Sequence, residues 1–158
     1  RPDFNSGRVH LDEQKGDTKT TAVCSATEIM NLKNTGYDVF LLGGETTLKL
    51  PEKAGKGGRN QHYAAASLLA MKGCEDEWAM ASIGSDGSDF LADVAGAIID
   101  STSLGCLHNN KIDVETFLET CDSNTLLNKL GNSIVVTGNT ETNVGDLIVY
   151  ILNRSTRT

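Results

Sequence analysis

The stretch that decides the fold is residues 39–71, which read VFLLGGETTLKLPEKAGKGGRNQHYAAASLLAM. It opens with four apolar residues that end at Gly43-Gly44, a pattern typical of a short buried strand. The alternation at 46–50 predicts a second strand, and a proline follows it. After the glycine-rich loop, the run of small and apolar residues at 60–71 predicts a helix packed closely against a sheet. A strand, a loop and a helix in this order indicate an α/β fold.

The rest of the chain continues this pattern. Helices are predicted at 21–34, 92–99, 114–120 and 125–130, and strands at 77–83, 133–137 and 147–152. Because strands alternate with helices, we expect a layered α/β sandwich with a mixed, largely parallel sheet flanked by helices. A hairpin at Gly43-Gly44 would supply its antiparallel part. The expected organisation is a lead-in segment at 1–38, a domain at 39–152 and a tail at 153–158.

The composition fits one globular domain and argues against several classes of function. The 158 residues include 16 glycines and 2 prolines, which indicates tight turns rather than disorder. A net charge of −7 without a basic stripe argues against binding to nucleic acid or to anionic membranes. The longest apolar run, at 147–152, is too short to span a membrane, and no signal peptide is visible, so we expect a cytoplasmic protein. The four cysteines and three histidines show no zinc-type spacing.

The first candidate binding site is the loop GKGGRNQ at 55–61. Its glycines let the backbone approach a ligand, and the helix that follows offers unpaired N–H groups at its positive end. Lys56 adds charge, and Arg59 can hold a phosphate or a carboxylate through two parallel hydrogen bonds. A flexible loop with solvated basic side chains explains the same residues without a ligand. The residue order is not that of a P-loop.

Two further loops are candidates because ligands of open α/β sheets gather beside the carboxyl ends of strands. SDGSD at 85–89 supplies Asp86 and Asp89, whose carboxylates suit Mg²⁺. The alternative is a turn in which Asp89 caps the helix that follows it. TGNTETNVGD at 137–146 has hydroxyl and amide side chains that suit either a sugar-like ligand or turn formation. We expect His62 and His108 to be surface or partly buried residues.

Taken in order, these segments resemble the MOFRL domain, the C-terminal domain of one glycerate kinase family. The resemblance runs from about residue 39 to residue 152. It is carried by GGETT at 43–47, GKGGRNQ at 55–61, SIGSDGSD at 82–89, AGAIID at 95–100 and VTGNTETNVGDL at 136–147. The chain departs from the family's pattern at His62, Phe90, Asn139 and Glu141.

The resemblance implies an enzyme that transfers the γ-phosphoryl group of ATP to D-glycerate, with Mg²⁺, at a cleft between a larger N-terminal domain and this one. It favours 2-phosphoglycerate as the product. Arg59 would hold the glycerate carboxylate or the transferring phosphate, and Asp86 would act on Mg²⁺ or on the acceptor hydroxyl. These two are the candidate catalytic residues, and Asp86 and Asp89 are the candidate metal ligands. The candidates for binding substrate or phosphate are Gly43, Gly44, Glu45, Lys56, Gly57, Gly58, Asn60, Gly87, Thr137, Gly138, Thr142 and Asn143.

Three functions stay open at this point. The chain is part of a glycerate kinase that lacks its N-terminal domain, a module that binds small anions without catalysis, or a structural or regulatory domain. Some family members are named hydroxypyruvate reductase, but this chain has no G-x-G-x-x-G fingerprint for a nucleotide. Phosphoryl transfer depends on both walls of a site, so we expect the chain alone to have little or no activity. The resemblance also leaves a homodimer open.

Overall fold

The structure is a computed structural model that describes residues 7–9, 13–32, 37–91 and 93–153, the first of these ranges by its backbone alone. Residues 33–34 of the first predicted helix and 154–158 of the predicted tail lie outside the described residues. The elements in chain order are β1 (Gly7–Val9), α1 (Thr18–Asn31), β2 (Val39–Gly44), α2 (Arg59–Met71), β3 (Glu77–Gly84), β4 (Gly96–Asp100), α3 (Ser101–Asn109), α4 (Val114–Glu119), α5 (Ser123–Leu130), β5 (Ile134–Val135) and β6 (Asp146–Asn153).

The strands form one sheet in the order β1-β2-β6-β3-β4-β5. All pairings among β2 to β6 are antiparallel, and the short β1 lies parallel to β2 at the edge. The α/β class is confirmed, but the expectation of a mixed, largely parallel sheet is wrong. β6 comes last in the chain and lies between β2 and β3, running opposite to both. An alternation of strands and helices in the sequence does not determine the strand directions.

Two of the predicted elements are also wrong. The segment predicted as a helix at 92–99 contains most of β4, in which Ala97 and Ile99 are buried while Ile98 between them is exposed. This period of two is that of a strand. The segment predicted as a strand at 46–50 makes one isolated bridge, between Asp17 and Thr47. Helix α3 was not predicted; its N-terminus is capped by the Asp100 side chain.

Helix α2 lies at the centre of the fold. It packs on β3 and β4 of the sheet and contacts α1, α4 and α5. Residues 60–68 of this helix are all buried, which confirms the prediction of close packing. Gln14 precedes α1 in the chain, and its Oε1 accepts hydrogen bonds from the Tyr63 hydroxyl (2.9 Å) and the Ser25 hydroxyl (2.8 Å). In the described part of the chain, no helix is long and apolar enough to cross a membrane.

Candidate functional site

The candidate site forms where β2 and β3 end and β6 begins. Gly44, Asp146 and Gly84 lie side by side in register on these three neighbouring strands. Because β6 runs antiparallel to both neighbours, its first residue is level with the last residue of each. The segments 45–58 and 85–90 therefore leave the sheet at the same end at which the segment 137–145 arrives.

The first turn of α2 is capped by Asp89, which comes from the segment after β3. Its Oδ1 accepts a hydrogen bond from the Asn60 N–H (2.9 Å) and its Oδ2 accepts one from the Gln61 N–H (2.9 Å). The Gln61 Nε2 donates a further bond to Oδ2 (3.0 Å). Asp89 is buried, and this burial raises the pKa of its carboxyl against the opposing effect of these bonds. Asp89 thus caps α2, which precedes it in the chain, and not a helix that follows it. These two N–H groups of α2 are paired rather than unpaired as expected.

The loop at 55–58 is packed against its neighbours. Gly58 is the N-cap of α2, and a Cβ atom there would lie 2.2 Å from the carbonyl oxygen of Asp89. The Lys56 backbone N–H donates to Asp122 (2.8 Å), and its carbonyl accepts a bond from Asn124 (2.9 Å). These contacts hold the loop against the start of α5. The alternative of a flexible loop therefore does not describe its backbone.

Arg59, the first residue of α2, lies between two carboxylates. Its Nε and Nη2 donate to the two oxygens of Asp146 (2.6 and 3.1 Å), and its Nη1 donates to Glu45 (2.7 Å). The Asp146 side chain is 4% exposed, whereas that of Glu45 is 65% exposed. Asn60 Nδ2 also donates to Asp146 (2.9 Å). The bonds to Asp146 raise the pKa of Arg59, so the guanidinium stays cationic.

A cleft of about 860 Å³ opens beside Arg59. One group of its lining residues is polar or charged and includes Glu45, Arg59 and Asp86. A second group is apolar and consists of Leu48, Leu50, Ala54 and Phe90. Six of the predicted site residues line this cleft: Glu45, Gly57, Gly58, Arg59, Asp86 and Asp89. The cleft is therefore the place where the first two candidate loops meet.

Of the two candidate metal ligands, Asp86 is better suited to Mg²⁺ than Asp89. Its Oδ1 accepts one hydrogen bond, from the Ser88 N–H (2.9 Å). Both oxygens of Asp89, the other candidate ligand, already accept bonds from α2. Among the described residues, no three His, Cys, Asp or Glu side chains are grouped so as to hold a metal ion. Mg²⁺ often takes one or two protein carboxylates together with water and phosphate oxygens, so a role for Asp86 stays a prediction.

The third candidate loop packs against the second one instead of lining the cleft. The Ser85 N–H donates to the carbonyl of Gly145 (3.1 Å), and the Ser85 hydroxyl accepts a bond from the Val144 N–H (2.8 Å). Gly87 has φ +86°, and a Cβ atom there would lie 1.9 Å from the carbonyl oxygen of Gly138. The predicted site residues outside the cleft lining are Gly43, Gly44, Lys56, Asn60, Gly87, Thr137, Gly138, Thr142 and Asn143.

Two features of the site region were not predicted. Asp146 is a buried carboxylate at the start of β6, and a buried carboxylate usually needs a cationic partner. Its burial and its pairing with Arg59 depend on the register of β6, so no local pattern in the sequence reported them. His62 was expected to be a surface or partly buried residue, but it lies within α2 and is only 3% exposed, so that expectation is wrong. The His62 Nδ1 has no hydrogen-bond partner among the described residues, and burial lowers the pKa of His62 to about 4.

Comparisons with known proteins point to one family. Residues 38–146 match the MOFRL family. A glycerate 2-kinase of Pyrococcus horikoshii is 37% identical over 114 residues, which are 72% of this chain and 25% of that protein. An Agrobacterium vitis protein whose name proposes a hydroxypyruvate reductase is 35% identical over 118 residues, 74% of this chain and 30% of that protein. The crystal structure of a glycerate kinase from Thermotoga maritima gives a TM-score of 0.83 at 29% identity, over 95% of this chain and 36% of that one. The chain thus spans about a third or less of the length of these relatives.

Proposed function

Because this chain belongs to the MOFRL family, we propose that it forms one wall of the site of an ATP-dependent glycerate kinase that converts D-glycerate to 2-phosphoglycerate. The second wall would come from an N-terminal domain, since the matched relatives are much longer than this chain. The proposed site lies between the two domains. The chain's own contribution is the cleft beside Arg59.

The observation that carries this proposal is the unequal pairing of Arg59. Asp146 is buried and holds two of its nitrogens, whereas Glu45 is exposed and holds the third. An exposed ion pair is worth about 0–1 kcal/mol. A substrate carboxylate or phosphate can therefore replace Glu45 while Asp146 keeps the guanidinium in place. Arg59 then offers an anion the charge-assisted hydrogen bonds that guanidinium groups form best.

Asp86 lines the same cleft and would complete the polar side of this wall. It would hold Mg²⁺ together with phosphate and water ligands, or it would orient the acceptor hydroxyl of glycerate. Mg²⁺ bound there would supply positive charge for the phosphoryl oxygens. Arg59 adds a fixed positive charge of the same kind, which is effective because it is already oriented before the substrate arrives.

A module that binds small anions without catalysis is the second candidate. It is supported by the contrast between Arg59, one nitrogen of which is held only by an exposed carboxylate, and the two candidate metal ligands, of which only Asp86 is not bound to α2. Reduction of hydroxypyruvate, which the name of one relative suggests, would need a nicotinamide cofactor, and the sequence has no G-x-G-x-x-G fingerprint for one.

The test is to put this chain in place of the homologous segment of the P. horikoshii kinase and to follow D-glycerate and MgATP by ³¹P NMR. We expect phosphoglycerate, with the phosphate coupled to the C2 proton. Arg59→Ala should lower kcat/KM by about 100-fold or more. Lys53→Ala, which removes an exposed basic side chain in the segment before Gly55, is the matched control and should not change kcat/KM.

Two results would contradict parts of the proposal. Full activity of Arg59→Ala would remove Arg59 from the mechanism. Binding of D-glycerate without formation of any product, in a hybrid protein that is folded, would favour the binding module.

A further inference from the structure

We propose that Phe90 is a stacking platform for a nucleotide base, so that the cleft accepts an anion that carries a flat aromatic ring. The inference rests on the proposed function, in which ATP is the phosphoryl donor. It adds a contact for the base of the nucleotide, on a residue at which the chain departs from the pattern of the family it resembles.

The first observation is the exposure of the Phe90 ring. Phe90 is 81% exposed, and it lines the same cleft as Arg59. Leu50, another lining residue, is 57% exposed. Exposed apolar groups beside a few polar ones are typical of ligand sites. The cleft therefore offers a cation for phosphate and apolar surface for a ring.

The second observation is the backbone that presents this ring. Phe90 has φ +63°, a backbone conformation that residues with a Cβ atom rarely adopt. The Leu91 N–H donates to the carbonyl of Asp89 (2.7 Å), which closes a strained three-residue turn with Phe90 at its tip. On one side the turn is anchored by Asp89, whose carboxylate is bound to α2. Strain of this kind persists where the surroundings impose it, and it is common at ligand sites.

The third observation is the size of the cleft. Its volume of about 860 Å³ falls within the range of roughly 300–1,000 Å³ that is common for sites of drug-sized ligands. A three-carbon acid would fill only a small part of it. A nucleotide has both the size and the two chemistries, an anionic phosphate chain and an aromatic base, that this lining offers.

The test compares binding of ADP and of ribose 5-diphosphate, which carries the same two phosphates but no base, to the 158-residue chain by calorimetry. Stacking of a base on an aromatic side chain contributes about 1–3 kcal/mol, so ADP should bind roughly 5- to 150-fold more tightly than ribose 5-diphosphate. The proton resonances of the Phe90 ring should shift upfield when ADP binds. Phe90→Trp should keep the preference for ADP.

The test variant is Phe90→Ala, which removes the ring but keeps a Cβ atom at the same positive φ. It should bind ADP no more tightly than ribose 5-diphosphate. Equal ADP affinity of Phe90→Ala and the original chain would overturn the inference. So would an original chain that does not bind ADP at millimolar concentration.

The D-glycerate titration separates this inference from the proposed function. If D-glycerate binds and depends on Arg59 while ADP binding does not depend on Phe90, only the stacking inference fails. If ADP binding depends on Phe90 while D-glycerate does not bind, the assignment of the substrate fails and the stacking platform stands. If the Phe90 ring contacts a second domain instead of a base, D-glycerate will bind and ADP binding will not depend on Phe90.

Discussion

Replacing Arg59 by alanine is expected to destabilise the fold by about 3 kcal/mol, because it leaves a buried carboxylate without its cation. The Asp146 side chain is 4% exposed and would keep one side-chain donor, Asn60 Nδ2. Breaking a buried ion pair by removing one partner costs about 3–5 kcal/mol. The low end applies here, since the Arg59 side chain is 36% exposed and water reaches the remaining carboxylate more easily.

A double-mutant cycle measured by urea unfolding tests this reasoning. Asp146→Asn should cost about 2 kcal/mol, because Arg59 loses its charged partner but remains partly hydrated. The double variant should cost about 2–3 kcal/mol, less than the sum, because it leaves neither charge behind. If the losses of the two single variants add up to the loss of the double variant within about 0.5 kcal/mol, Arg59 and Asp146 are not coupled. The exposed pair of Lys19 and Glu115 is the control, and Lys19→Ala should cost less than about 1 kcal/mol.

Three further predictions concern stability. Because burial lowers the pKa of His62 from 6.5 to about 4, the unfolded chain binds a proton between these pH values that the folded chain does not. The free energy of unfolding should therefore fall by about 3 kcal/mol as the pH falls from 6.5 to about 4. Urea unfolding of His62→Gln should not show this fall. If His62→Gln has the same pH profile as the original chain, His62 is not its cause. Gly58→Ala should cost about 3 kcal/mol in the same assay, because its Cβ atom would collide with Asp89, whereas Gly105→Ala, with no atom within 4 Å, should cost nothing. Phe90→Gly should raise Tm by about 3 °C because glycine tolerates the positive φ; an equal gain in Phe90→Ala would show that strain is not the reason.

The sequence predicted those parts of the fold that depend on local burial. β2, β3, β6 and α2 are observed close to their expected bounds, because each is a distinct apolar run with a glycine or a polar boundary at one end. The directions of the strands were not predictable in this way. They depend on the insertion of β6 between β2 and β3, which is a property of the whole sheet.

In the candidate site too, residues in short local motifs were predicted, whereas contacts between distant segments were not. Arg59 and Asp86 were identified from short loops and from the family resemblance, and both line the cleft. The pairing of Arg59 with Asp146 joins residues 87 positions apart, and it follows from the register of β6. The capping of α2 by Asp89 joins residues almost 30 positions apart. No local pattern reports such contacts, so they became visible only with the fold.

The most direct test of the account is a calorimetric titration of D-glycerate into the original chain, Glu45→Gln and Arg59→Lys. We expect the original chain to bind D-glycerate and Glu45→Gln to bind it up to about 5-fold more tightly, since an exposed competitor worth at most about 1 kcal/mol is removed. Arg59→Lys should bind at least about 10-fold more weakly, because lysine cannot bind Asp146 and the ligand through one rigid fork. Equal affinity of Arg59→Lys and the original chain, together with weaker binding by Glu45→Gln, would contradict the account.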